Sequence, residues 1–486
     1  MVSLGCPKNL VDGESMLGLL RARGYETTSD SDLADLIIVN TCGFIDAAKK
    51  ESIDAILEMA DKKNTGRCAA LIVTGCLSER FRDFFSTELP EVDAALGTGE
   101  YGRICEIVDI FAAKIIHSRD GAESRFDADL ALKSKQEASP RTVHESSADQ
   151  RLGHLNAPRV LTGGAGCVYI KIAEGCDNNC AYCVIPSVRG PYINRPPGDI
   201  IAEARRLSAD REIEAVLVAQ DTTHYGEGDN YAGAGDGSYA GDCAGRLCGL
   251  LDELSRIERV KWIRLMYAYP DRIDSLLIEQ FTRNKKLLKY LDLPIQHASD
   301  NVLHKMGRRY GREDLTRLIA KLRREVPGIV LRTTLITGFP GENEEDFAGL
   351  MDFITAVKFE RIGVFVYSKE EGTRAALMDG QVPRKTALKR RAALLRTQAA
   401  ITRAADASRI GREYEAITES GPPAAYEAGA IIRVRTYAEA PEIDGTIRVT
   451  SEAKKLTARV AAYPGTFVKI RITGMDARGL LGAIIL

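Results

Sequence analysis

No stretch of the sequence stays apolar for the ~20 residues of a membrane helix, so a helical membrane protein is excluded. The opening MVSLGCPKNL has no basic stretch followed by a long apolar run, so no secretory signal is expected. A cytoplasmic location is the expectation that follows. Neither sign of charge is in excess: 66 Lys plus Arg face 68 Asp plus Glu, a net charge of −2. That argues against a generally polybasic nucleic-acid binder but leaves room for a local patch. An even set of cysteines is also missing. There are 11, in a chain of 486 residues. A disulfide scaffold is a poor fit to that number and length, and thiol or metal chemistry fits better. What is present is ordinary globular composition, 45 % hydrophobic and 28 % charged. The length suggests about three domains.

Residues 1–111 read as an α/β unit. Val2-Ser3-Leu4, Leu36–Val39 and Ala70–Val73 predict strands, with helices over Glu14–Arg23 and Asp46–Lys62. That alternation predicts a parallel sheet. Residues 112–165 are rich in Ser, Asp, Lys, Arg and Gly and read as a partly mobile linker. Residues 166–405 return to alternation. Candidate strands at 167–172, 215–219, 262–266, 290–293, 329–336 and 361–366 predict an open, partial (β/α)6 barrel. Its interruption at 226–245, with seven glycines in twenty residues, has the composition of a surface loop. Residues 384–405 predict a helix with seven basic side chains and no acidic one, read as a solvated face. From 410 to 486, five short predicted strands suggest a small barrel of the OB type. Its ten basic and nine acidic residues are no strong nucleic-acid footprint.

Cys176, Cys180 and Cys183 form the sharpest signal, a C-x3-C-x2-C loop just past the first predicted barrel strand. Parallel strands carry their active groups at their carboxyl ends. Three thiolates in one loop can hold three irons of a 4Fe–4S cluster and leave the fourth open. A structural zinc site needs four closed ligands, and the nearest histidines, His154 and His224, lack the spacing. The same rule finds a second set. Cys6, Cys42 and Cys76 each follow a predicted strand of the first domain, flanked by Gly5, Gly43 and Gly75, which permit close backbone approach. Each of the three also reads as a small buried residue. Cys68 lies on the opposite edge and is rejected. Cys105 and Cys167 read as core. Cys243 and Cys248 are spaced as a metal pair, with an incidental origin the preferred reading.

The CxxxCxYC loop resembles the radical S-adenosylmethionine enzymes, and the earlier triad with the terminal barrel resembles their methylthiotransferase branch. The phrases SLGCPKN at Ser3–Asn9, VNTCGFI at Val39–Ile45, QDTT at Gln220–Thr223, PIQHASD at Pro294–Asp300 and PEIDG at Pro441–Gly445 carry the resemblance within the branch. It covers the chain apart from the linker and the Gly-rich insertion. In the family the first strand usually begins several residues before SLGCPKN, so either a misassigned start or a shortened edge strand is expected here.

The resemblance implies an N-terminal methylthiotransferase domain, a radical S-adenosylmethionine barrel and a terminal TRAM barrel. It implies two 4Fe–4S clusters, one on Cys176, Cys180 and Cys183 that binds S-adenosyl-L-methionine, and one on Cys6, Cys42 and Cys76 that presents sulfur. The implied reaction places a methylthio group on the β-carbon of an aspartate of ribosomal protein S-twelve, in the small ribosomal subunit. That C–H bond is unactivated, so the cofactor must supply a radical. A low-potential donor of the flavodoxin or ferredoxin type is implied, and no membrane. Gly338, Gly341 and Glu342, in the ITGFPGE turn, are then candidate cofactor contacts, with a plain strand-to-helix turn as the other reading. Tyr182, Gln220, Asp221, Gln296 and His297 are further candidates at the barrel mouth. Glu439, Glu442 and Asp444 are candidate contacts to a basic substrate protein, since opposite charge steers encounter.

Two other classes stay open on the sequence. A tRNA adenosine methylthiotransferase shares clusters and cofactor, but calls for a distinctly basic terminal barrel. A non-catalytic iron–sulfur sensor or RNA-binding module needs only one cluster and leaves the second triad unexplained.

Overall fold

The computed structural model describes residues 1–119, 143–164, 166–228, 246–420, 431–450 and 464–485. In the first domain β1 (Val2–Ser3), β2 (Leu36–Thr41), β3 (Ala70–Gly75) and β4 (Ala94–Leu96) stand side by side in that order, all parallel. β3 is buried along its whole length and β2 from Ile37 on, which is why they read as continuous apolar runs rather than alternating ones. β4 adds to the three predicted strands, and β1 is only two residues long. The first helix starts earlier than predicted, at Pro7, and runs to Ala22. Pro7 suits a first helical position, where its missing N–H costs nothing. Asp46–Thr65 forms the second crossover helix.

The segment read as a linker is ordered in part. The helix Ile104–Arg119 crosses residue 111. Val143, Arg151, His154 and Leu155 are buried. Arg151 donates to the Pro191 carbonyl at 2.8 Å, and His154 Nε2 meets Asp12 Oδ1 at 2.9 Å. Polar composition suggested solvent, but these polar groups are spent on buried partners.

The central domain is the expected half-barrel. β5 (Cys167–Lys171) is followed by a two-stranded antiparallel ribbon, β6 (Ala173–Glu174) with β7 (Ile193–Asn194). Then come β8 (Ile213–Val218), β9 (Val260–Leu265), β10 (Leu287–Asp292), β11 (Val330–Thr337) and β12 (Arg361–Val366). β5 and β8 to β12 form one six-stranded parallel sheet in chain order. Helices such as Pro197–Leu207, Ser275–Arg283 and Arg312–Glu325 cover its outer face. Most of the insertion, residues 229–245 with Cys243, lies outside the described residues. Cys248 sits in the helix Leu247–Ser255.

The basic helix runs Arg384–Ala407 and packs along β11 and β12. Its Arg390 is buried and donates to the Glu342 carbonyl at 3.0 Å, so the face is not wholly solvated. Beyond it β13 (Glu413–Ser420), β14 (Ile431–Thr436), β15 (Ile447–Thr450), β16 (Phe467–Asp476) and β17 (Gly479–Ile484) close into a five-stranded barrel.

That barrel is tied to the half-barrel by buried charge. Glu214 on β8 is gripped by Arg264 Nε at 2.6 Å and by Arg435 Nη2 of β14 at 2.7 Å. Trp262 Nε1 donates to Glu415 at 2.9 Å. Two of the acidic groups read as docking contacts belong to this seam instead. Glu439 is 2 % exposed, paired with Arg409 and hydrogen-bonded by the Thr436 hydroxyl at 2.7 Å. Asp444 accepts from the Tyr290 hydroxyl and from the Ala440 N–H. Only Glu442 is exposed. The seam takes up two of the three, Glu439 as a buried residue and Asp444 through a side chain 5 % exposed.

Burial pushes the Glu439 carboxyl up, but the Arg409 and Arg361 guanidinium groups outweigh it and hold it at about 2. A depressed carboxyl stabilises the fold above its unfolded pKa, and the gain is lost as pH falls through the folded value. Glu439→Gln is therefore expected to cost about 3 kcal/mol at pH 6. The gap to the parent chain should close as pH falls from about 4.5 toward 2, as read by urea unfolding at a series of pH values.

Candidate functional site

The first-domain thiols converge because the register makes them. Ser3 pairs with Asn40, and Asn40 with Thr74. Cys6, Cys42 and Cys76 follow those three residues by a few positions, so all lie at one edge of the sheet. Each glycine beside them is sterically required. A Cβ on Gly5 would stand 2.9 Å from Cys42 Cβ, one on Gly43 2.8 Å from Leu77 Cα, and one on Gly75 2.4 Å from the Thr41 carbonyl oxygen. Cys6 caps the helix Pro7–Ala22, and Cys76 opens the short helix Cys76–Arg80. Helix N-termini favour thiolate and other negative charge. Burial would raise the Cys6 thiol, but Lys8, Arg189 and the N–H groups of Lys8 and Asn9 bring it below its ordinary value. Cys42, where burial dominates, is pushed up to about 11.

The second triad sits in a loop whose base is the β6–β7 ribbon. Gly175 has φ +81°, and a Cβ there would meet the Pro191 carbonyl at 2.1 Å. The Cys176 N–H donates to the Gly190 carbonyl at 3.1 Å, and the Ala181 N–H to the Met306 carbonyl at 2.9 Å. Cys183 Sγ accepts from the Ile185 N–H at 3.4 Å, and Cys180 Sγ lies 3.7 Å from the Tyr269 hydroxyl. Burial raises Cys176 to about 11.

All six are free thiols. Among the described residues no three His, Cys, Asp or Glu side chains close on a single metal ion. Ligands that each bind a different iron of a cluster stand farther apart than ligands of one ion. Within each triad the thiols still act on one another's charge. Three thiols in each loop, with no fourth protein ligand among the described residues, make a donor set that fits a cluster with an open iron.

The two loops share a wall of buried charge. Asp12, Lys171, Glu174 and Arg189 are all buried. Lys171 pairs with Asp12 and, at 2.7 Å, with Glu174. Arg189 pairs with Asp12 at 2.7 Å and Glu174 at 3.1 Å, and its Nε lies 3.2 Å from Cys76 Sγ. Glu174 is two residues before Cys176. Burial would raise the Glu174 carboxyl, yet Lys171 and Arg189 hold it at about 2.

The other candidates divide. Gln220 is at the wall: its amide donates to Glu174 at 2.6 Å, and its oxygen is buried without a partner among the described residues. Asp221 is turned to the cysteine loop. It accepts from Asn178 at 2.7 Å and Arg272 at 2.9 Å, and caps Thr223 and His224. Gln296 holds a left-handed backbone, φ +69°. Tyr182 accepts from Arg308 at 2.5 Å and stands edge-on to Phe339. Glu342 is buried and folds back on the Gly338 N–H. A Cβ on Gly338 would come within 2.3 Å of Ala387 Cβ, and one on Gly341 within 2.5 Å of Lys305 Nζ. Here, then, the turn's glycines admit the basic helix and a lysine, and Glu342 braces the turn. His297 Nε2 faces Glu342 Oε1 at 3.7 Å, and both atoms are without a hydrogen-bond partner among the described residues.

Arg189, Arg308, Tyr267 and Tyr269 escaped the sequence reading, as did Asp12, Lys171 and Glu174 of the wall. Arg189 was hidden in an unremarkable helix. Arg308 lies over the rings of Tyr269, Tyr310 and Tyr182, beside Cys180. Tyr267, with φ +62°, carries the Lys8 ammonium 3.3 Å from its ring centroid. Tyr267 and Tyr269 both follow β9, so the strand-end rule could have found them. A cavity of about 640 Å³ lined by Tyr25, Leu36, Met59 and Val108 opens at the other ends of the first sheet's strands, away from the thiols.

Against known proteins, residues 1–97 match the uncharacterized protein family UPF0004, 170–354 the Radical SAM superfamily and 410–485 the TRAM domain. The chain is 43 % identical over 485 residues to the ribosomal protein uS12 methylthiotransferase RimO of Acetivibrio thermocellus, covering 100 % of this chain and 98 % of the relative. To the protein of that name from Trichlorobacter lovleyi it is 44 % identical over 451 residues, covering 93 % and 92 %. Among solved structures, the radical S-adenosylmethionine methyltransferase TsrM of Kitasatospora setae aligns with TM-score 0.51 at 16 % identity, over 75 % of this chain and 70 % of that one. That likeness speaks for the fold. A UPF0004 domain, a radical SAM half-barrel and a closed TRAM barrel in one chain define a radical SAM transferase. Among methylthiotransferases, the chain belongs to the ribosomal protein uS12 methylthiotransferase (RimO) family. No helix among the described residues is long and apolar enough to cross a membrane.

Asp221→Ala removes a helical cap and the anchor of Asn178. It is expected to cost about 2 kcal/mol and to raise amide hydrogen exchange across residues 176–183 of the full chain. Unchanged exchange there would show that the loop holds itself.

Proposed function

We propose that this chain adds a methylthio group to the β-carbon of an aspartate of ribosomal protein uS12. The observation that carries the reading is the buried charged network that reaches Cys76 through Arg189 and includes Glu174, two residues before Cys176, in a chain similar end to end to uS12 methylthiotransferases. In this reading Cys176, Cys180 and Cys183 hold one 4Fe–4S cluster, and Cys6, Cys42 and Cys76 hold a second. When bound, clusters and S-adenosylmethionine supply the radical that an unactivated C–H bond requires, together with the sulfur and methyl to be transferred. The protein's share is position. The β6–β7 ribbon and Asp221 fix the radical loop, and the wall fixes its distance from the first-domain thiols. Tyr182, Gln220, Gln296 and the Gly338–Glu342 turn border the mouth between them. Gln220 Oε1, His297 Nε2 and Glu342 Oε1 are buried polar atoms there without partners among the described residues, and so are available to a ligand. The protein takes electrons from a low-potential flavodoxin or ferredoxin, works in the cytoplasm and does not modify tRNA. The nearly neutral terminal barrel supports that last point.

The test is a peptide mass spectrum of uS12 from cells with and without this gene. A methylthio mass on one aspartate, only when the gene is present, is expected. An unmodified peptide in both strains would overturn the reading. Replacing Cys6, Cys42 and Cys76 together by Ala is expected to halve the bound iron and keep S-adenosylmethionine cleavage while abolishing methylthio transfer. Full product from that variant would remove the second cluster from the account.

A further inference from the structure

The Arg189 side chain is nearly completely buried, and its donors are shared among four partners. Nη1 reaches Asp12 Oδ2 at 2.7 Å and Glu174 Oε2 at 3.1 Å, and Nη2 reaches Asn9 Oδ1 at 3.1 Å. Those contacts fix the guanidinium plane. The remaining donor, Nε, is directed at Cys76 Sγ, 3.2 Å away. The residue belongs to the short helix Ile185–Arg189, which directly follows the radical loop, whereas the sulfur belongs to the first domain. Structural pairing with Asp12 and Glu174 needs only the Nη groups. A donor turned onto a thiol held in a cluster-forming triad has a further consequence.

We propose that Arg189 is a positioning residue that raises the reduction potential of the cluster held by Cys6, Cys42 and Cys76, acting through the Cys76 sulfur. The inference rests on the two-cluster reading. Reduction adds one electron, delivered by a low-potential flavodoxin or ferredoxin, and no proton. The reduced cluster carries one more negative charge, so a cationic donor to a ligand sulfur stabilises it more than the oxidised form. The radical domain thereby sets how readily the first-domain cluster accepts an electron. Lys171 and Arg189 together balance the two carboxylates, so the wall is neutral as a whole and the directed N–H contact is what distinguishes the two oxidation states.

The experiment uses the full chain with Cys176, Cys180 and Cys183 replaced by Ala, loaded anaerobically with iron and sulfide and titrated with dithionite under electron paramagnetic resonance. In that background Arg189→Met with Asp12→Asn removes one charge of each sign and leaves the wall neutral. The equilibrium constant for reduction is expected to fall about tenfold, ~59 mV for a one-electron couple. Arg189→Lys, which keeps the charge but loses the rigid fork, is expected to show a smaller fall, and decides the matter if the double variant takes up no iron. Asp12→Asn alone, which leaves the sulfur contact, should not lower the potential. An unchanged potential in an Arg189 variant with full iron, or an equal fall from Asp12→Asn alone, overturns the proposal while leaving two clusters in place. A parent background that binds no iron overturns both.

Discussion

The structure depends on one buried ion network, Asp12, Lys171, Glu174 and Arg189, at the seam between the first domain and the half-barrel. Each ion loses several kcal/mol of hydration on burial. That loss is offset only while both domains supply their partners, because Asp12 comes from one and the other three from the other. Any rotation of the first domain on the barrel strands a charge. The network contributes a fixed relative position more than it contributes stability, and the two cysteine loops are attached directly to it. His154, from the segment between the domains, joins it at Asp12. Burial there outweighs the neighbouring carboxylates and keeps the imidazole below its ordinary pKa, hence neutral near pH 7.

Around this seam the backbone is strained where the chemistry is placed. Asn179 in the radical loop, Tyr267 after β9 and Gln296 after β10 adopt positive φ of 44°, 62° and 69°. Such conformations persist only where surroundings over-determine them, and they gather at functional sites. Gln296 is held by its own N–H to the Thr334 carbonyl and by its carbonyl to the Ile336 N–H. Tyr267 is held by Asp292 at its N–H and by Lys8 at its ring.

The terminal barrel is fixed by the same kind of interaction. Glu214 between Arg264 and Arg435 is a charge from the half-barrel neutralised in part by the TRAM barrel. Glu439, Arg409 and Arg361 repeat the pattern nearby. The acidic side chains of Glu439 and Asp444 are consumed in holding the domain in place.

The six barrel strands, the parallel first sheet and the five-stranded terminal barrel were legible because strand burial writes apolar runs into the sequence. The six thiols were legible because parallel strands deliver loops to one edge, and Cys6, Cys42 and Cys76 follow three such strands. Residue types and their order along the chain therefore determined the architecture, the two triads and the family resemblance. Side chains that find partners across domains leave no local pattern. Arg189 carries no mark of Cys76, and nothing near Asp12 announces Lys171 more than a hundred residues on. Nor does the GFPGE phrase reveal that its glycines admit Ala387 and Lys305. Only the tertiary structure decided the charged wall, the place of Glu439 and Asp444 in the seam, and the packing of the predicted linker. Periodicity reports what a residue does within its own element, whereas charge pairing depends on which elements the fold brings together.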